Sequence, residues 1–281
     1  MTDRSNRKPF AVANWKMAMT ISESLAFLRD FAAALGDLAQ AVDVVLCPPY
    51  TALQAVAGAL ENSPIGLGAQ DLCAAPRKAH TGKISAPLLA DAGCEWVLLG
   101  HWEIRRRTGE SDMDVNRKMH AAFEAGLRPI VLIGEASTER GRAAEALAMR
   151  LSRIFASCSP TQIARMAVVY EPEWTIGVKE PASPDVVAAG CTIIRRWIEE
   201  QYGADIAEGL RIIYGGSVAP AYVKGLLASP EVDGLGASRK GRDAVAFIEI
   251  VRLIAAVKGL AADLDRQPEG GGTHPQVRLQ T

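Results

Sequence analysis

From end to end the chain repeats one phrase of apolar and polar positions. A short apolar run stops at glycine or polar residues, and a longer stretch with apolar positions at helical spacing follows. The short runs predict strands at Phe10–Lys16, Val42–Cys47, Ile65–Asp71, Trp96–His101, Pro129–Glu135, Met166–Glu171, Arg211–Gly216 and Val232–Ser238. Between them the spacing predicts helices at Ser22–Ala39, Thr51–Glu61, Ser85–Ala92, Asp114–Ala125, Thr138–Ala156, Pro184–Tyr202, Ala221–Leu227 and Asp243–Ala262. Ser22 and Thr138 are the expected N-caps, and Gly36, Gly93 and Gly126 suit helix ends.

Runs such as Val44-Val45-Leu46 and Ile130-Val131-Leu132-Ile133 are apolar without alternation. That is the pattern of strands covered on both faces, as in a parallel sheet flanked by helices. Eight strand–helix units in 281 residues fit a closed barrel better than an open sheet. The expected fold is therefore α/β, a single (β/α)8 barrel of eight parallel strands with flanking helices. No internal linker divides it. The expected boundaries are a polar N-terminal extension over 1–8, the catalytic barrel over 9–262 and a mobile C-terminal tail over 263–281. The run Arg266-Gln267-Pro268-Glu269-Gly270-Gly271-Gly272-Thr273 gives the tail its glycine-rich, polar character.

Composition narrows the function. Hydrophobic residues make up 49% of the chain, enough for a large core, and the formal net charge is -1. A balance so near neutral calls for neither nucleic acid nor an acidic membrane surface. No apolar run approaches spanning length, and Met1 to Lys8 has no signal-peptide core. The five cysteines are odd in number and lack CxxC spacing, which reads as reduced thiols in a cytoplasmic protein. Four histidines, none spaced as a ligand pair, argue against a metal site.

The chemistry gathers at the strand exits, the face on which such barrels keep their active sites. The stretch Val169-Tyr170-Glu171-Pro172-Glu173-Trp174-Thr175-Ile176-Gly177 runs from an apolar strand straight into a carboxylate. A rigid proline, an apolar anchor and a glycine then follow, as suits a closing lid. Strand one leaves Asn14 and Lys16, strand four leaves His101 and Glu103, strand seven leaves Gly215-Gly216-Ser217, and strand eight leaves Ser238-Arg239-Lys240-Gly241. Each has a plainer reading: a surface lysine, a satisfied histidine, a tight turn. Their joint placement at one mouth favours a site.

Proton transfer next to a carbonyl is the chemistry these groups suit. Glu171 can be the base, best partly desolvated with its pKa raised. Helix N–H groups aimed at His101 would keep its ring neutral and able to donate to a substrate oxygen. Lys16 and Asn14 would stabilise the charge of an enediolate. Backbone N–H groups around Gly216, Ser217 and the loop after strand eight would make a phosphate nest. No cofactor is needed.

Four motifs carry a resemblance. Asn14-Trp15-Lys16-Met17, Gly100-His101-x-Glu103, Tyr170-Glu171-Pro172-x-Trp174-x-Ile176-Gly177 and Tyr214-Gly215-Gly216-Ser217-Val218 resemble the triosephosphate isomerase family, over about Phe10 to Lys258. The resemblance implies Glu171 as base, His101 as electrophile, Lys16 and Asn14 as substrate-holding groups, and Glu103 as their support. It implies Gly177 and Ser217 as backbone phosphate donors, the former on lid closure. It also implies a homodimer in which the loop Asp71 to Lys83, with Thr81 near its tip, plugs into the partner.

The departures bear on specificity. Trp102 stands where the family has a serine able to hydrogen-bond the glutamate, and its bulk could reshape the mouth. Ile104 and Lys83 replace an arginine and a glutamate that can pair across the dimer. Glu173 replaces an apolar residue. The lid's typical Gly-Thr-Gly-Lys becomes Gly177-Val178-Lys179-Glu180 followed by Pro181, which should stiffen its far hinge. Counting from Asp233-Gly234, Ser238 and Arg239 replace two phosphate-binding glycines; the guanidinium fork matches phosphate oxygens. The Gly-to-Arg change also resembles the tetrulose-phosphate isomerases. Three expectations follow: an aldose–ketose isomerase acting on triose phosphates, one acting on an erythrulose phosphate, or a paralogue that binds a sugar phosphate without turning it over.

Overall fold

The structure, a computed structural model, describes residues 7–75 and 79–260. The expected extension enters it only at Arg7 and Lys8. The expected tail over 263–281 lies outside the described residues, as do positions 76–78 of the loop after strand three.

In chain order the elements are β1 Phe10–Asn14, α1 Ile21–Leu35, α2 Leu38–Ala41, β2 Asp43–Cys47, α3 Leu53–Ala59, β3 Gly66–Ala69, α4 Ala86–Asp91, β4 Trp96–Leu99, α5 Trp102–Thr108 and α6 Asp112–Glu124. Then come β5 Arg128–Ile133, α7 Ala143–Ile154, α8 Pro160–Ile163, β6 Ala167–Tyr170, α9 Pro184–Tyr202, α10 Ala204–Gly209, β7 Arg211–Gly215, α11 Val223–Leu226, β8 Gly234–Ala237 and α12 Ala244–Val257. Each strand pairs in parallel with the next. β8 returns to β1, with Phe10 opposite Gly234, and closes the barrel.

All eight expected strands form, most of them shorter at the exit end than the apolar runs suggested. The groups beyond each exit belong to loops, where they can turn toward a ligand. The unalternating runs divide as the pleat requires. Phe10, Val12, Val45, Cys47, Trp96, Leu98, Ile130, Leu132, Val169 and Ile213 fill the barrel interior. Ala11, Ala13, Val44, Leu46, Val97, Val131 and Val168 face the helices instead. Burying such side chains contributes about 1.5–3 kcal/mol for each large one.

Two caps differ from expectation. The cap of α1 is Thr20, whose side chain accepts from the Glu23 N–H while Glu23 accepts from the Thr20 N–H. This reciprocal pair, worth about 1 kcal/mol, moves the start ahead of Ser22. Thr138 caps nothing: it lies inside the 3-10 turn Ser137–Arg142, and α7 begins only at Ala143. The expected helix Ser22–Ala39 also breaks, at Gly36, whose φ of 45° no helix tolerates. The helix expected at His101 is α5, which the apolar spacing alone did not mark. Its run of Arg105, Arg106 and Arg107 hides any apolar period.

Candidate active site

The carboxyl ends of the strands open into a cavity of about 580 Å³. Asn14, Lys16, His101, Glu103, Glu171, Gly177, Gly216, Ser217, Ser238 and Arg239 all line it. Every site residue expected from the sequence therefore meets at one mouth.

At its centre Glu171 follows β6 and is 7% exposed. Its Oε1 lies 3.7 Å from His101 Nε2, while its Oε2 is buried without a hydrogen-bond partner. Burial pushes the carboxyl above its ordinary range, against the opposing pull of His101 and Lys16. A carboxylate so placed gains by accepting a proton.

His101 is the N-cap of α5, and its Nδ1 accepts from the Glu103 N–H at 3.1 Å. An accepting Nδ1 leaves the ring's proton on Nε2, the nitrogen that faces Glu171 and the cavity. One cap thus satisfies a helix end and fixes a tautomer.

Lys16 adopts a left-handed backbone, φ 53°, rare for a side chain of its kind. Two contacts hold it there. Asn14 Oδ1 accepts from the Lys16 N–H at 2.9 Å, and Gln70 Nε2 donates to the Lys16 carbonyl at 2.8 Å. Lys16 Nζ then reaches Glu103 Oε1 at 2.7 Å. Burial alone would raise Glu103, but the bond to Lys16 and its charge outweigh that and hold the carboxyl below its usual value.

The stretch after Glu171 is fastened at its near end. Trp174 Nε1 donates to Glu135 Oε1 at 3.0 Å, and the Tyr170 hydroxyl donates to Glu135 Oε2 at 3.1 Å. Glu173 accepts from Arg106 Nε at 2.8 Å and from the Ser137 N–H at 2.7 Å. These contacts overcome the effect of burial and keep the Glu173 carboxyl low. Farther on, Gly177 takes φ 78°, and Ser217 Oγ donates to the Val178 carbonyl at 2.6 Å. The Arg239 guanidinium reaches the same carbonyl and, at 3.4 Å, Ser217 Oγ.

Sequence reading missed Gln70, Glu135 and Arg106. Gln70 follows β3 as a polar residue at a strand exit, the signal that found the others. Glu135, at the exit of β5, carries the same signal. Arg106 carries none, since it lies within a helix and its partner lies in a distant segment. Among the described residues no cluster of three or more His, Cys, Asp or Glu could hold a metal ion.

A closed parallel barrel whose mouth pairs one dry carboxylate with a donor imidazole and an ammonium defines an aldose–ketose isomerase. Comparison with known proteins makes this specific. The profile of the family described as triosephosphate isomerase matches residues 9–254. A triosephosphate isomerase of Chloroflexus aurantiacus is 41% identical over 247 residues, 87% of this chain and 98% of that protein. One from Symbiobacterium thermophilum is 39% identical over 255 residues, 90% and 99% of the two chains. The crystal structure of triosephosphate isomerase from Bartonella henselae superimposes with a TM-score of 0.78 at 30% identity, covering 88% of this chain and 98% of that one. The chain belongs to the triosephosphate isomerase family.

Proposed function

We propose that the protein interconverts dihydroxyacetone phosphate and D-glyceraldehyde 3-phosphate through an enediolate. The observation that carries this reading is the buried Glu171 carboxylate, its Oε1 3.7 Å from the Nε2 of His101. Glu171 takes the carbon-bound proton of the ketose, and the electron pair moves toward the carbonyl oxygen. His101 Nε2–H donates to that oxygen, while Lys16 and Asn14 hold the developing negative charge. The hydroxyl proton of the enediolate passes from the one oxygen to the other through His101 Nε2, and Glu171 returns the carbon-bound proton to the neighbouring carbon. Glu103 supports the ammonium of Lys16. Gly177, Gly216, Ser217, Ser238 and Arg239 receive the phosphate at the other end of the cavity. The segment Pro172 to Ala182 closes over the substrate and excludes water.

One feature favours a second substrate, a four-carbon ketose phosphate such as an erythrulose phosphate. Arg239 is exposed and already reaches across the mouth to Val178. A phosphate gripped by so long a side chain need not lie at one fixed depth.

Residues 9–262 form the catalytic unit in this reading, supported by the closure of β8 onto β1. A homodimer through the loop Asp71 to Lys83 is supported by Met17, 95% exposed, beside a cavity of about 750 Å³ lined by Tyr50, Cys73, His80 and Lys83. With Ile104 and Lys83 in place of the family's ion pair, its contacts are rearranged. Met17→Asp should shift the sedimentation mass to that of a monomer; an unchanged mass would remove this interface. All five cysteines are free, which suits the reducing cytoplasm.

The deciding experiment measures turnover of triose phosphates and erythrulose phosphates side by side, with solvent deuterium uptake at the substrate carbon. Preferred triose turnover supports the first reading and preferred tetrulose turnover the second. Deuterium uptake from neither substrate would leave a sugar-phosphate-binding paralogue.

A further inference from the structure

We infer that Trp102 is the positioning residue of the base, holding Glu171 by its main chain in register with the imidazole of His101. This rests on the proton-transfer roles proposed for those two residues. The indole Nε1 of Trp102 donates to the carbonyl oxygen of Glu171 at 3.0 Å, across 69 residues of sequence. On the other side the Glu171 N–H donates to the Ile133 carbonyl at 2.8 Å. Both polar groups of the Glu171 main chain are therefore fixed, one by β5 and one by α5. Gly134 packs against the same peptide. A Cβ there would stand 2.0 Å from the Glu171 carbonyl oxygen, so only glycine at 134 leaves room for the carbonyl in this position.

The indole is itself held. The guanidinium groups of Arg105 and Arg150 lie 5.7 and 5.1 Å from the ring centroid of Trp102, within cation–π range. Both arginines are anchored on buried Asp112, at 2.8 and 3.7 Å. One turn further along α5, on the same helix face, Arg106 grips Glu173 at 2.8 Å. The electrophile His101 caps this helix. A single short helix thus carries the imidazole and two tethers to the segment that bears the base, so movement of α5 would shift base and imidazole together.

The tether's target matters. A hydroxyl at position 102 could bond the carboxylate, and the base would have to give up that bond before it could act. The indole bonds the carbonyl instead, and Glu171 Oε2 remains unpartnered in its dry pocket. The carboxylate is held in place without being neutralised by a donor.

Trp102→Phe keeps an aromatic ring near the two arginines and removes the N–H together with part of the indole's bulk. Misplacing reacting groups by about 1 Å can cost up to ~100-fold in rate, so loss of one tether should lower kcat roughly tenfold. KM for the preferred ketose phosphate and inhibition by inorganic phosphate should stay within about twofold, because phosphate binds at the far end. The acid limb of kcat/KM should move to lower pH as water reaches the loosened carboxylate. Trp102→His, smaller but still carrying a ring N–H, should recover part of the lost kcat and provides a second test if the phenylalanine variant folds poorly. Unchanged kcat and pH profile in Trp102→Phe, with only a lower melting temperature, would overturn the inference. A wild type that exchanges no substrate proton would overturn the underlying reading, and Trp102's role with it. An active wild type beside an indifferent Trp102→Phe would sink the role of Trp102 alone.

Discussion

The two ends of the cavity are built in opposite ways. At the proposed proton-transfer end, Glu171 and His101 are buried at 7% and 6% exposure and oriented by backbone contacts. The Glu171 peptide is pinned at both of its polar groups, and His101 is fixed by the helix it caps. At the proposed phosphate end, Gly177, Lys179, Arg239 and Lys240 are exposed; Ser217 and Arg239 bond Val178, Ser217 bonds Thr175, and only at the lid's far root does Ala182 N–H reach the buried Tyr214 hydroxyl. A dry, over-determined geometry suits a reaction in which a misplaced atom costs rate. An exposed, side-chain grip suits recognition of a charge, which tolerates adjustment. The groups proposed for chemistry are locked, and those proposed for phosphate recognition are left open to change.

The largest effect that would sharpen this contrast comes from Glu171→Gln. Removing the base should lower kcat by roughly a thousandfold, with inorganic phosphate bound as in the wild type. Steady-state kinetics and phosphate inhibition report both quantities, and near-normal turnover would show that another group is the base.

The same variant tests the dryness of that end. Burial raises the Glu171 pKa in the folded state above its unfolded value. The neutral acid's stabilising contribution is thus complete below the unfolded pKa and is lost as pH rises through the folded one. Glu171→Gln, neutral at every pH, should therefore melt higher than wild type at neutral pH. The gain should vanish as pH falls below the ordinary carboxylate range. Melting curves at about pH 3 and about pH 7, either side of that range, would expose a hydrated Glu171 by showing no such difference.

Arg239→Gly probes the other end. It should raise KM about tenfold and weaken inorganic phosphate similarly, leaving kcat within about twofold. Added salt should shrink the difference, since the guanidinium is exposed. A loss of kcat as large as that of Glu171→Gln would break the division between the two ends.

Glu173→Val gives the smallest expected change. It removes the bonds to Arg106 and Ser137 but leaves Trp174 on Glu135. A partly exposed ion pair contributes about 0–1 kcal/mol, so kcat should move by no more than about threefold. A larger change in pre-steady-state kinetics would mean that this strap governs the lid.

How far the sequence could be read differs between these regions. Every strand was legible, because a strand buried on both faces must be apolar along its whole length. Asn14, Lys16, His101, Glu103 and Glu171 were legible as polar residues at strand exits. The turn chemistry was less so: Thr20 rather than Ser22 caps α1, and Thr138 caps nothing, since several candidates lie within one turn of each boundary. The extent of α5, expected only as helix N–H groups at His101, was hidden because three successive arginines leave no apolar rhythm. Trp102 was visible as a departure, yet its bulk pointed to a reshaped mouth rather than to a bond with the Glu171 carbonyl.

Local patterning determined the eight-fold repeat, the end of the barrel that carries chemistry and the residue types gathered there, because periodicity and strand exits are properties of short segments. Only the closed barrel decided that the indole of Trp102 meets Glu171, that Gln70 holds Lys16 and that Arg239 reaches Val178. Those contacts join segments far apart in the chain. They depend on the radius of the closed sheet and the direction of each side chain, which no short stretch of sequence contains.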